Sequence, residues 1–335
     1  MKSEDEADLL LQKYGGQLER DTESFLTEGM KDDELLEPIR YMLGTRRDFL
    51  RPAIVSLSCD ATQGDPEGVP NVSIAISLIC HSMGVYDDLI DQTTIKRFVP
   101  TLSGKFGDKR AIIVAALVTA KAFHALSSLA GKVSPETFRS VNTDFQKFLT
   151  RMAAAEIENS NLARSSKLDP EARLTLLELE GVDIETAARL GVMVGESELH
   201  EIESMTQYGK YLGKAIRLRE DLECSINLTL ELADKIQRKT IPYPLAWALA
   251  KSKQSENDLM SSTKTRNVEA DDVQKCIALL FDTGAVAHTK RLVKEAAQKS
   301  THALSKIEDG RAKNALLTLA LAQERLLLRA LNPIN

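Results

Sequence analysis

The run from Ile74 to Tyr86 is almost entirely apolar and reads as a core helix, yet it leads straight into Asp87-Asp88-Leu89-Ile90-Asp91. At about 100° per residue, Asp87 and Asp91 fall within roughly 40° of each other, with Asp88 on the flank. Three like charges on one apolar turn repel and lose solvation, so the fold must bring something cationic against them. A hard divalent ion that takes oxygen ligands is the natural candidate.

The rest of the chain is patterned for helices. Long helical stretches are separated by compact breaks, without a convincing period-2 strand series. Only 17 Gly and 10 Pro occur in 335 residues, and Ala, Leu, Glu and Lys dominate the long stretches, a composition that favours helix. The segment Asp65-Pro66-Glu67-Gly68-Val69-Pro70 reads as a turn. Ser134-Pro135-Glu136 and Asp169-Pro170-Glu171 each read as an N-cap followed by proline at the first helical position. No internal repeat is present and no break demands a domain boundary. The expected architecture is one all-α domain over 1–335 with ten or more helices, residues 1–34 forming an N-terminal helical extension.

Charge and cysteine usage narrow the function. A formal net charge of −6 argues against a general nucleic-acid binder. Cys59, Cys80, Cys224 and Cys276 are widely spaced and form no Cys-x-x-Cys pair, so they read as free thiols of a reducing cytoplasm. The acidic N-terminus leads into no apolar block of signal-peptide type. The longest apolar run, Ala111 to Ala120, falls short of the roughly 20 residues that cross a bilayer, so no transmembrane segment is expected.

Two further charged groups follow. Lys96 and Arg97 come five and six residues after Asp91, and Pro100-Thr101 then turns the chain. Cations beside a carboxylate-bound metal make an anion site, and diphosphate suits it because it bridges metal ions and accepts charge-assisted hydrogen bonds. The plainer alternative is a pair of solvated loop charges. The second group is Glu220-Asp221-Leu222-Glu223-Cys224, on a segment that also reads as helix. Glu220 and Asp221 would complete a metal site, or they pair within the helix with Arg217, Arg219 and Lys214, all within one or two turns.

Taken in order, these motifs resemble the trans-isoprenyl diphosphate synthases, also called the polyprenyl synthetase family. The resemblance begins near Leu36-Glu37-Pro38-Ile39-Arg40-Tyr41 and runs through Leu50-Arg51-Pro52-Ala53, the Asp87 to Asp91 motif, Lys96-Arg97 and Pro100-Thr101. It continues through Lys105-Phe106-Gly107, Gly213-Lys214-Ala215, Thr240-Ile241-Pro242 and Thr283-Gly284-Ala285. It implies the isoprenoid synthase fold, a single large helical bundle around a deep apolar pocket. It also implies a Mg2+-dependent prenyltransferase that ionises an allylic diphosphate and condenses it with isopentenyl diphosphate. Asp87 and Asp91 would be magnesium ligands, and Asp88 a ligand or a partner behind them. Lys96 would hold the allylic diphosphate, while Arg97 and Arg51 would hold that of isopentenyl diphosphate. Glu220 and Asp221 fill the first two places of the second aspartate-rich motif, as further metal ligands.

The departures matter as much. Where the family reads Gly-Gly-Lys-Arg-x-Arg-Pro, this chain has Arg46-Arg47-Asp48-Phe49-Leu50-Arg51-Pro52, so an acid stands in place of the lysine that grips isopentenyl diphosphate. Arg46 or Arg47 is the candidate replacement. The family's histidine before the first aspartate is Cys80, and the Phe-Gln pair ahead of the second motif is Ile216-Arg217. A second reading is therefore a non-catalytic homologue that partners an active synthase or binds a prenyl compound. A third is a terpene cyclase, against which stands an aromatic content of only 5%. The family's usual homodimer is expected, with a heteromer as the exception.

Overall fold

The computed structural model describes residues 6–96, 98–165, 168–227, 229–252 and 268–331, and these bear out the all-α expectation. In chain order come α1 (Glu6–Thr27), α2 (Asp33–Thr45), α3 (Leu50–Ala61) and α4 (Val69–Ile90). A two-residue hairpin follows, β1 (Ile95–Lys96) antiparallel to β2 (Val99–Pro100). Next are α5 (Leu102–Phe106), α6 (Asp108–Ser127), α7 (Pro135–Arg164), α8 (Pro170–Glu180), α9 (Val182–Val194) and α10 (Leu199–Asn227). The last are α11 (Thr229–Arg238), α12 (Tyr243–Lys251), α13 (Ala270–Asp282), α14 (Ala285–Ala303) and α15 (Arg311–Leu331). The hairpin is too short for alternation to register in sequence.

The breaks work as their chemistry dictates. Asp169 Oδ1 accepts from the N–H groups of Glu171 and Ala172 at 3.0 and 3.2 Å, and Ser134 Oγ accepts from Thr137 N–H at 3.2 Å. Each satisfies donors that a helix leaves unpaired at its start. Asp65 caps the short 3₁₀ turn that opens into α4 in the same way, accepting from Glu67 N–H.

The chain packs as two compact units. Among the described residues, those within 1–148, 183–209 and 301–319 form one, and those within 149–182, 210–300 and 320–335 form the other. In the first, α4 packs against α1, α3 and α6. Val72, Ala75, Ile76 and Leu78 are fully buried, so α4 is enclosed on several sides. Two of its buried polar residues are hydrogen-bonded, Asn71 Nδ2 donating to the Ala125 carbonyl and Ser82 Oγ to the Ala115 carbonyl at 3.0 Å, whereas the buried hydroxyls of Ser73 and Ser77 have no hydrogen-bond partner among the described residues. By length and composition, both the Pro66–Ile90 stretch containing α4 and the helix α6 would suffice to cross a membrane. The apolar window of the first is 78% buried in packing and that of α6 39%. In the second unit, Leu177 of α8, Leu218 and Leu222 of α10, Leu232 and Ile236 of α11, Tyr243 and Leu245 of α12 and Leu280 of α13 form one buried core.

The loop joining α2 to α3 carries Arg46, Arg47 and Asp48, and α1 holds it in place. Gly15 of α1 lies against the Phe49 carbonyl so closely that a Cβ there would collide with that oxygen. Because the obstacle is backbone, Gly15→Ala should force α1 or the loop to shift, costing about 1–3 kcal/mol. Urea denaturation checks this, and a Gly15→Ala midpoint equal to wild type would contradict the packing.

Candidate functional site

The first acidic cluster forms where α4 stops. The N–H of Asp91 donates to the Asp87 carbonyl at 2.9 Å, closing the last turn, and the N–H of Thr93 donates to the Asp88 carbonyl at 2.8 Å. The chain then turns back through the hairpin. Thr101 fastens it, donating to the Thr93 carbonyl at 2.7 Å while its hydroxyl accepts from Gly104 N–H and so caps α5. This fold-back returns Lys96 to the acids, its Nζ 3.4 Å from Asp87 Oδ2 and 3.5 Å from Asp88 Oδ1. Arg97 lies outside the described residues.

The three carboxylates differ in exposure. Asp88 is 1% exposed, whereas the Asp87 side chain is about one-third exposed. Burial pushes the Asp88 carboxyl above the usual carboxylate range, while Arg46 and Lys96 pull it down and Asp87 adds to the rise. Arg46, at the C-cap of α2, pairs its guanidinium with Asp88 Oδ2. It reaches there across Gly84, whose missing side chain leaves the space the guanidinium fills. The cations that the acid turn requires are thus supplied by the protein itself.

A carboxylate-only donor set suits a hard divalent ion. Among the described residues, however, no three His, Cys, Asp or Glu side chains are grouped as a ligand set. The oxygens of Asp87 and Asp88 face Arg46 and Lys96 instead.

Beside this cluster lies a buried ionic triad. Asp48, 7% exposed, accepts from the N–H groups of Leu50 and Arg51 and so opens α3. Its other oxygen takes Arg51 Nη1 at 3.0 Å. Asp183 of α9, 2% exposed, accepts from Arg51 Nε at 2.9 Å and pairs with Nη2 as well. Burial alone would lower the Arg51 pKa, but Asp48, Cys80 and Asp183 hold it well above its usual value. The Asp48 that replaces a lysine in the family pattern therefore locks the arginine three residues later. Arg47 is exposed; burial pushes the Glu19 carboxyl above the usual carboxylate range, and the Arg47 charge pulls against that rise. His81, 6% exposed, has its pKa lowered to about 4 by burial, with Arg51 and Arg46 adding to the drop and Asp48 opposing it.

The second acidic cluster belongs to the other compact unit. Gly213 and Gly181 pack backbone to backbone, with no room for a Cβ on either, and so bring the end of α8 against α10. Glu220 is held by Arg217 at 2.9 Å and approached by Arg219 at 3.8 Å, while Arg219 pairs with Glu223 at 2.8 Å. Asp221, 5% exposed, accepts from Tyr243 N–H at 2.8 Å, and its Oδ1 lies 3.5 Å from Lys235 Nζ. Burial opposes protonation of Lys235, yet Asp221 carries its pKa up to about 12. Glu180, at the end of α8, is pushed up by burial and by Asp221, with Arg173, Arg217 and Lys235 pulling the other way. Glu220 and Asp221 are therefore partnered within their own unit. Asp183, Glu180 and Arg173 escaped the sequence reading. Asp183 stands 132 positions from Arg51, and no spacing rule links them.

Comparison with known proteins agrees with the order of these motifs. The family model described as polyprenyl synthetase matches residues 32–280. A geranylgeranyl diphosphate synthase of Methanosarcina mazei is 22% identical over 296 residues, covering 87% of this chain and 89% of the relative. Geranylgeranyl pyrophosphate synthetase from Pyrococcus horikoshii superposes with a TM-score of 0.82 at 21% identity, covering 95% of this chain and 98% of the other. Polyprenyl synthase from Caulobacter crescentus, solved with calcium and isoprenyl diphosphate, gives 0.84 at 18% identity over 97% and 99%. The fold is thus that of the isoprenoid synthases.

The buried His81 makes stability depend on pH. Its folded pKa near 4 lies below the usual histidine value, so between about 6.5 and 4 the unfolded chain takes a proton that the folded chain does not. The neutral ring's contribution is complete above pH 6.5 and lost as pH falls through 4, by about 3 kcal/mol. His81→Gln should remove this component from the pH profile of urea unfolding. Parallel profiles for variant and wild type would contradict it.

Proposed function

This chain belongs to the polyprenyl synthetase family, and from that premise we propose that it is a magnesium-dependent prenyltransferase that binds an allylic prenyl diphosphate at the first acidic cluster. The observation that carries the reading is the turn Asp87 to Asp91, where a buried carboxylate and its neighbours gather cations at the end of an enclosed helix. A Mg2+ ion held by Asp87 and Asp91, with Asp88 behind them, would supply positive charge to a diphosphate leaving group. Lys96 is placed to exchange its contacts with Asp87 and Asp88 for phosphate oxygens. The allylic C–O bond breaks with its electron pair going to diphosphate, the double bond of isopentenyl diphosphate attacks the cation, and a proton is lost. Apolar walls would keep water from the cation.

The acceptor side is weaker. Arg51 is already paired with both Asp48 and Asp183, and Arg46 is committed to the first cluster through Asp88, so neither stands apart to grip a second diphosphate. Charge-assisted contacts are worth about 1.5–3 kcal/mol each, so slow condensation follows. The second reading, a non-catalytic homologue that pairs with an active synthase or binds a prenyl compound, is favoured by one observation. Glu220 and Asp221 are engaged by Arg217, Arg219, Lys235 and the Tyr243 N–H.

Assembly as a homodimer is supported by the apolar face of α6, where Ile112, Ile113 and Phe123 are 50%, 61% and 41% exposed. Four free cysteines suit a reducing cytoplasm.

Incubation of the purified chain with Mg2+, isopentenyl diphosphate and each of dimethylallyl, geranyl and farnesyl diphosphate should give elongated prenyl products. Asp87→Ala should lower the rate by about 100-fold or more, the scale of removing one electrostatic stabiliser. No elongation with any primer would sink the prenyltransferase reading. An increase in the rate of an added active synthase would then mark the partner-subunit reading.

A further inference from the structure

Arg46 is a cation that the first acidic cluster did not need to have. Lys96 already reaches both Asp87 and Asp88 from the hairpin, at 3.4 and 3.5 Å. Arg46 comes from a different element, the C-cap of α2, and takes the remaining Asp88 oxygen, so each oxygen of this buried carboxylate is paired with a protein cation. The Arg46 side chain is itself only 26% exposed. Its seat is built by a second residue: a Cβ on Gly84 would occupy the position of an Arg46 guanidinium nitrogen. The loop carrying Arg46 is pinned in turn by Gly15 against Phe49 and by Asp48 accepting two backbone N–H groups. Arginine remains charged at any accessible pH, and one carboxylate cannot use all five of its N–H donors.

We propose that Arg46 is a resident cation of the Asp87 to Asp91 cluster that competes with a divalent ion for Asp88 and presents its remaining donors to the bound diphosphate. The inference rests on the reading that this cluster takes a divalent ion. It assigns Arg46 a positioning role beyond that reading: the chain carries part of its own counter-charge, so its acidic turn has a lower affinity for free metal than the same turn without Arg46. Gly84 is part of the device, because only a residue without a side chain leaves the guanidinium its place.

The test is isothermal titration of the full chain with Mn2+ alone, and separately with inorganic diphosphate in the absence of metal. Arg46→Ala should bind Mn2+ about tenfold more tightly than wild type and inorganic diphosphate about tenfold more weakly, the scale of one charge-assisted contact. Gly84→Ala, which evicts the guanidinium without deleting it and suits a helix, should tighten Mn2+ binding in the same way. Arg46→Lys should stay close to wild type. Unchanged or weakened Mn2+ binding in both Arg46→Ala and Gly84→Ala would overturn the proposal, as would the absence of Mn2+ binding in every variant. If Arg46→Ala fails to fold, Gly84→Ala decides alone. Neither readout involves product formation, so tightened metal binding in a chain that elongates nothing would defeat the prenyltransferase reading and leave the role of Arg46 standing.

Discussion

A carboxylate buried to 1% exposure at the end of an apolar helix must be neutralised, and much of the first unit is arranged around doing so for Asp88. The hairpin exists to fold Lys96 back over the acids, and Thr101 fastens that fold-back to Thr93. The α2–α3 loop delivers Arg46, across a glycine that leaves it room. The same loop presents Asp48 to Arg51, and α9 supplies Asp183 to complete that pairing. The hairpin and the loop give the buried Asp88 its partners, while α9 adds a buried apolar face to the core as well as the acid that meets Arg51.

The second acidic cluster meets the same constraint with a different outcome. Its partners are close in sequence or carried by the neighbouring helices: the cations Arg217 and Arg219 on the same helix and Lys235 on α11, and a neutral backbone N–H donor at the start of α12. Glu180, pushed up by burial, shares Arg173, Arg217 and Lys235 with it. Such a network holds α8, α10, α11 and α12 in register, a structural use of charges. The two clusters therefore differ in kind. The cations of the first come from a hairpin and a loop distant in sequence; those of the second come from arginines one turn away on the same helix and from Lys235 on α11, while Asp87 and Glu220 are each about one-third exposed.

Most of the architecture could be read from sequence because it rests on local chemistry. Proline at the first helical position after Ser134 and Asp169 marks two helix starts, and the apolar run into Asp87 marks the central helix. The acid turn announced its need for a cation, since three charges in one apolar turn permit nothing else. What the sequence could not reveal was which cation answers. Arg46 lies 42 positions before Asp88, and Asp183 lies 132 positions after Arg51; both pairings are made by tertiary packing. In sequence Glu220 and Asp221 read equally as metal ligands or as helical ion pairs with Arg217 and Arg219, because three- and four-residue spacings are compatible with either. The pairing of Arg217 with Glu220 is a matter of geometry that only the folded helix supplies.

On the function proposed above, the acidic turn at the end of α4, and not the cluster on α10, would hold the divalent cation and the diphosphate. Anomalous diffraction from crystals grown with Mn2+ and inorganic diphosphate tests it directly. The expected result is Mn2+ in ligand contact with Asp87 and Asp91, diphosphate beside Lys96, and Glu220 still paired with Arg217. Mn2+ bound at Glu220 and Asp221, with Arg217 displaced and the Asp87 turn empty, would contradict it.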